Sequence, residues 1–110
     1  MSIAVTIDDL PAAIHGQIGW CYLLTVTDDS TPRVIAIAPH WSPGGTLTAD
    51  VGRGTAANLR ARPNVTLVYP PVTAEGMSLI VDGVAEVDDV TMSFTPSTAV
   101  MHRPAISGTC

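Results

Sequence analysis

The chain contains no lysine: its five cations are all arginines, set against ten aspartates and glutamates, for a net charge of −5. An acidic chain without lysine has no dense cationic footprint for phosphate backbones, which excludes a nucleic-acid partner. Arg33, Arg53, Arg60, Arg62 and Arg103 are then individually informative. No apolar run approaches the roughly 18 residues needed to cross a bilayer, and no charged segment precedes an apolar one at the N-terminus. The expectation is a cytoplasmic protein without membrane contact. Two cysteines, Cys21 and Cys110, make neither a disulfide framework nor a metal motif. Cys21 is expected as a small buried hydrophobe and Cys110 as a free residue of the tail. His15 and His102 have no partner at metal-ligand spacing, so no metal is expected. Only 14% of residues are charged while 46% are hydrophobic, so the surface is either weakly charged or partly covered by a partner, a balance that points toward an oligomer.

What is present reads as one domain over residues 1–110. Residues 1–16 form an N-terminal helix or turn, with Thr6 as a cap ahead of Ile7 to His15. Trp20 to Thr27 is β in composition, Asp28 to Pro32 is turn chemistry and Arg33 to Ala38 is a second strand, so residues 20–38 make a hairpin. Pro39 to Gly45 is a loop carrying His40 and Trp41, an exposed aromatic segment of the kind that lines ligand sites or packs on a barrel end. Strands follow at Thr46–Val51, Asn64–Tyr69 and Met77–Val87, the last with Gly83 as a bulge. Val90–Phe94 reads as a further short strand, Pro96–Met101 as one helical turn, and 102–110 as a flexible tail in which His102 and Arg103 can reach a ligand or a partner subunit. The acidic pairs Asp8-Asp9, Asp28-Asp29 and Asp88-Asp89 belong to turns and caps. About six short strands with one or two short helices make a mainly β fold, a small antiparallel barrel.

The stretch with most chemistry is Thr46 to Tyr69: strand, the turn Gly52-Arg53-Gly54, a helix from Ala56 to Arg62 capped by Thr55, a proline stop at Pro63, and a strand. Two glycines, an arginine and a helix start offer open N–H groups beside a guanidinium, the ingredients of a phosphate site; an ordinary solvated turn is the competing reading. Gly52 to Ala57 also fits the dinucleotide pattern G-x-G-x-x-A, but that fingerprint requires a parallel βαβ unit and the flanking pieces here are hairpin-connected. Arg33 opens its strand directly after a turn and reads either as a site residue or as a solvated strand-end charge. No Ser-His-Asp, Cys-His or paired-carboxylate constellation is present, so whether the chain is an enzyme stays open.

Arg33-Val-Ile-Ala-Ile-Ala38, Leu47-Thr-Ala-Asp-Val-Gly-Arg-Gly-Thr55, Asn58-Leu-Arg-Ala-Arg-Pro-Asn-Val-Thr-Leu-Val-Tyr-Pro70 and Ser78-Leu-Ile-Val-Asp-Gly-Val-Ala-Glu-Val87 together resemble the pyridoxamine 5′-phosphate oxidase-like superfamily of FMN-binding split β-barrels, which includes deazaflavin (F420)-dependent reductases. Phe94 to Ala105 is similar to a small actinobacterial branch of it. The resemblance implies a split barrel, a homodimer with FMN or F420 at the interface, and oxidoreductase activity carried by the cofactor. It assigns the cofactor to Arg33, Val34, Ile35 and Ala36 of the second strand, to Thr48, Ala49 and Asp50 of the third, and to Gly52, Arg53, Gly54, Thr55 and Asn58 of the turn and helix. Counting back from Pro63 puts the family's phosphate arginine on Gly54 and its lysine on Thr55; counting forward from Thr48 favours Arg53. Both family lysines are missing, with Ala38 in the place of the second. The C-terminal segment that holds pyridoxal phosphate in the oxidases is also missing, which speaks against that activity. A carrier or sensor of flavin, F420 or haem without turnover, and a dimeric barrel without cofactor, are the alternatives.

Overall fold

The computed structural model describes residues 2–104. Eight strands and two helices follow one another as β1 (Ser2–Val5), α1 (Leu10–His15), β2 (Cys21–Val26), β3 (Pro32–Ile37), β4 (His40–Ser42), β5 (Thr46–Asp50), α2 (Arg53–Ala61), β6 (Asn64–Tyr69), β7 (Ser78–Asp88) and β8 (Thr91–His102). The strands form one antiparallel sheet in the order β3-β2-β6-β7-β8-β5-β4, with β1 added to β8, and the sheet curls into a split barrel. β3 and β4 stand at the two ends of that path but are joined by Ala38 and Pro39 alone. The chain therefore steps across the split in two residues, and proline, lacking an N–H, suits the step.

Alternation explains which side of the sheet is inside. Cys21, Leu23 and Thr25 of β2 are buried while Tyr22, Leu24 and Val26 between them are exposed; Val65, Leu67 and Tyr69 of β6 and Leu79 and Val81 of β7 continue the inner face. Leu10 from α1 and Leu59 from α2 are fully buried in the same core. The helices cover opposite ends of β6. Asn58 and Arg62 tie α2 to the end of β2, and Pro63 leads straight into β6. Gln17, just after α1, donates to the carbonyls of Tyr69, Pro70 and Met77. Six of the seven leucines have no exposed surface, each worth about 1.5–3 kcal/mol of burial. Leu24 is the exception.

The structure departs from the sequence reading in four places. β1 pairs with β8 in register Ser2↔His102, where a helix or turn was expected from residue 1; four residues, of which only Val5 is half-buried, are too short a pattern to announce a strand. His40 and Trp41 lie in β4, paired with Thr48 and Leu47 of β5, and not in a loop. β8 is one strand of 12 residues, without the helical turn at Pro96–Met101. Its pattern misleads because Ser97 has no counterpart between the pairs Gly83↔Pro96 and Asp82↔Thr98, so the inward face changes from Met92 and Phe94 to Ala99. The bulge foreseen at Gly83 is thus real, with its extra residue on β8. Finally, α2 begins at Arg53 with Gly52 as N-cap in extended conformation, three residues ahead of the expected start; Thr55 sits inside the first turn, and no side chain caps the helix. The mainly β barrel is as expected, with eight strands among the described residues where about six were expected. Cys21 is buried as expected, whereas Cys110 lies outside the described residues.

Candidate functional site

A cavity of about 300 Å³ opens between the first turn of α2 and the hairpin of β2 and β3, lined by Thr27, Arg33, Ile35, Gly54, Thr55 and Asn58. Its walls are held by local chemistry. Thr31 donates its N–H to the Thr27 hydroxyl, and that hydroxyl donates to Asp29. This hydrogen bond from Thr27, with a second from Thr31, holds the exposed Asp29 carboxyl below the usual carboxylate range. Arg62 donates to the Val26 carbonyl at 2.8 Å and to the Asp28 carboxylate at 2.9 Å, stitching the hairpin to the end of α2. Asn58 donates to Thr25 at 3.3 Å, fixing the face that α2 turns to β2.

The charges sort themselves along α2. Arg53 stands 3.6 Å from the Asp89 carboxylate, and Arg60 donates to the Asp89 carbonyl at 2.7 Å, so both lean toward the β7–β8 turn. Arg62 is spent on Asp28. Among the described residues, Arg33 is the one cation in the cavity lining, and its guanidinium bonds there to the neighbouring Pro32 carbonyl alone, at 3.3 Å. Facing it is the first turn of α2, whose N–H groups have no acceptor within the helix. A Cβ added at Gly54 would meet no other group of the protein within 4 Å. The fold does not demand glycine there, and its absence of side chain leaves backbone open beside the cavity. A cation, open N–H groups and the Thr55 hydroxyl suit an anion such as a phosphate group.

Of the residues singled out from sequence, Arg33, Ile35, Gly54, Thr55 and Asn58 come together in the lining. Val34 and Ala36 alternate onto the opposite face of β3, and Gly52 and Arg53 stand beside the lining without joining it. Thr48, Ala49 and Asp50 lie on β5; the Thr48 hydroxyl is engaged with Ser42 and the His40 carbonyl, and Asp50 accepts from Thr91. His40 and Trp41 are on β4, and His102, bonded to Ser2, ends β8 ahead of Arg103; none of them lines the cavity. Thr27 was missed, although its place at the end of a strand before Asp28-Asp29 was legible. Among the described residues, no three His, Cys, Asp or Glu side chains gather as a metal would require, and no helix is long and apolar enough to cross a membrane.

No family model matches the chain. Two curated proteins, the uncharacterized protein Mb0449c of Mycobacterium bovis and the uncharacterized protein MT0457 of Mycobacterium tuberculosis, are each 32% identical over 119 residues, covering 94% of this chain and 78% of theirs. Solved structures share the fold at lower identity. A candidate pyridoxamine 5′-phosphate oxidase from Listeria innocua has a TM-score of 0.69 at 16% identity, covering 87% of this chain and 98% of its own. An F420 reductase has a TM-score of 0.62 at 18% identity, covering 79% and 93%. An FAD-binding protein from Mycobacterium smegmatis has a TM-score of 0.64 at 20% identity, covering 94% and 100%. The solved structures and this chain share one fold, the split β-barrel, and the chain belongs to one family with the two mycobacterial proteins.

Proposed function

We propose that the protein is a homodimeric flavin- or deazaflavin-binding oxidoreductase that seats the phosphate end of its cofactor in the cavity beneath α2. The observation that carries this reading is the meeting of Arg33 with the open first turn of α2 at Gly54 and Thr55. The names of the structural neighbours, an F420 reductase and FAD-binding proteins, support the same class of ligand. Arg33 supplies the counter-charge, the α2 N–H groups and the Thr55 hydroxyl supply donors, and Ile35 gives an apolar wall. A bound flavin or deazaflavin would bring the redox chemistry itself, consistent with a lining free of His, Cys, Asp and Glu.

At about 300 Å³ the cavity lies at the small end of ligand sites and is too small to bury a whole flavin. The remainder would lie along the edge of β3, which pairs only with β2, and be covered by a second copy. The surface for that copy is the outer face of β2 and β3. Tyr22, Leu24 and Val26 alternate there, and Leu24 stands opposite Val34, which is 55% exposed. A contiguous apolar face of this kind marks an interaction surface.

The test is titration of apo-protein with FMN and with F420, alongside sedimentation. Binding at micromolar concentrations that falls at least tenfold in Arg33→Ala, with a dimer at working concentration, is expected. Failure of both cofactors to bind a folded protein would falsify the reading. Leu24→Asp is expected to give a folded monomer with weakened cofactor binding; an unchanged dimer removes the outer face as interface. A carrier without turnover uses the same site, and reduction of an acceptor by the loaded protein separates the two.

A further inference from the structure

We infer that Asp89 sets the anion affinity of the cavity by holding Arg53 away from it, so that Arg53 is a second cation of the site whose engagement Asp89 opposes. This rests on the reading of the cavity as the anion end of a flavin site. Arg53 is the first residue of α2, directly before Gly54 and Thr55 of the lining, so its side chain starts within reach of the site. Its guanidinium nevertheless lies 3.6 Å from the Asp89 carboxylate, with both side chains mostly exposed, at 85% and 71%. The β7–β8 turn is fixed beside the helix start independently of that pair. Val51 donates its N–H to Val90 at 2.8 Å, and Arg60 donates to the Asp89 carbonyl at 2.7 Å. Asp89 takes a left-handed backbone conformation there, φ 54°. The Asp89 backbone is therefore anchored by the fold, which keeps its carboxylate beside the helix start, while the arginine that answers it is held by a long, solvated ion pair.

Such a pair is weak, and its release is within reach of a ligand anion. Arg33 alone leaves a phosphate dianion undercompensated, and the other arginines at α2, Arg60 and Arg62, lie at its far end, bonded to Asp89 and Asp28. Asp89 and the ligand phosphate thus compete for one guanidinium from opposite sides.

The experiment is a double-mutant cycle on the full chain, reading dissociation constants for FMN and for riboflavin, which lacks the phosphate. Asp89→Asn is the chosen variant, because asparagine tolerates left-handed backbone and the Arg60 bond uses the carbonyl, not the carboxylate. Asp89→Asn is expected to tighten FMN about two- to fivefold, the worth of an exposed ion pair, and to leave riboflavin unchanged. Arg53→Ala is expected to weaken FMN about tenfold and to abolish the gain from Asp89→Asn. An equal gain in the Arg53→Ala background would show a general field effect and overturn the inference, as would an unchanged FMN constant or a matching gain for riboflavin. If neither wild type nor Asp89→Asn binds FMN or F420 while both melt normally, the cavity reading itself is lost and the inference with it.

Discussion

The Asn58 amide donates to the Thr25 hydroxyl at 3.3 Å, and Thr25, 4% exposed, is the buried polar residue of the described core. A buried hydroxyl left without a partner costs about 1–3 kcal/mol, so Asn58→Ala is expected to destabilise the domain by that order. Calorimetry would show a melting temperature lower by roughly 4–8 °C per kcal/mol. Adding Thr25→Val removes the orphaned hydroxyl and is expected to recover part of the loss; no recovery would mean that Asn58 acts by packing alone.

Gly83 presses against the neighbouring strand. A Cβ there would lie 2.3 Å from the Thr95 carbonyl oxygen and 2.6 Å from the Phe94 ring. Phe94 is fully buried and has no room to give. Gly83→Ala is expected to cost about 1–3 kcal/mol through overpacking, although alanine suits a strand better than glycine does. Urea unfolding would check it, and a neutral result would show that the β7–β8 bulge relaxes.

How far the sequence announced this structure depends on whether local signals agreed with tertiary ones. Cys21 to Val26 and Asn64 to Tyr69 alternate cleanly and carry turn or proline signals at their ends, so both strands are found where expected. β8 was misread because Ser97 resets its alternation and Pro96 breaks its hydrogen-bond pattern, two local features that imitate the end of a strand. β1 has almost no buried residue of its own and exists through pairing with β8. In the site, Arg33 and the α2 turn were legible as separate ingredients. That the charges of Arg53, Arg60 and Arg62 would be directed to Asp89 and Asp28 depends on the placement of the β7–β8 turn and the hairpin, which no local pattern encodes.

Cys21 and Tyr69 lie side by side on the inner face of β2 and β6. The Tyr69 hydroxyl is buried with no hydrogen-bond partner of full strength, and the Cys21 thiol is its weak polar neighbour. Burial pushes the Cys21 thiol up to about 11 and the Tyr69 hydroxyl higher still. Both folded-state values exceed the unfolded ones, so between pH 9 and 11 the unfolded chain loses a thiol proton that the folded chain keeps. Stability is therefore full below pH 9 and falls by up to about 1.4 kcal/mol per pH unit above it. Denaturant titrations in a Cys110→Ser background would show this slope, and Cys21→Ala is expected to flatten it between pH 9 and 10. Tyr69→Phe removes the poorly satisfied hydroxyl and is expected to be neutral or stabilising by about 1 kcal/mol. A clear loss of stability would mean that the thiol contact is worth more than its chemistry suggests.

Gly54 separates the demands of the fold from those of the site. It lies in the first turn of α2, where glycine is a poor helix former, and its missing Cβ would meet nothing of the protein within 4 Å. Gly54→Ala is therefore expected to raise stability, by up to about 1 kcal/mol on helix propensity. The same methyl group would stand beside the cavity where Arg33 faces the α2 backbone. If an anion closes on those N–H groups, the variant binds FMN severalfold more weakly while melting at a higher temperature. That opposition of sign is what a purely structural glycine cannot produce. Unchanged FMN affinity in a stabilised Gly54→Ala protein would show that the ligand keeps its distance from the helix start, and would leave Arg33 as the anchor of the site.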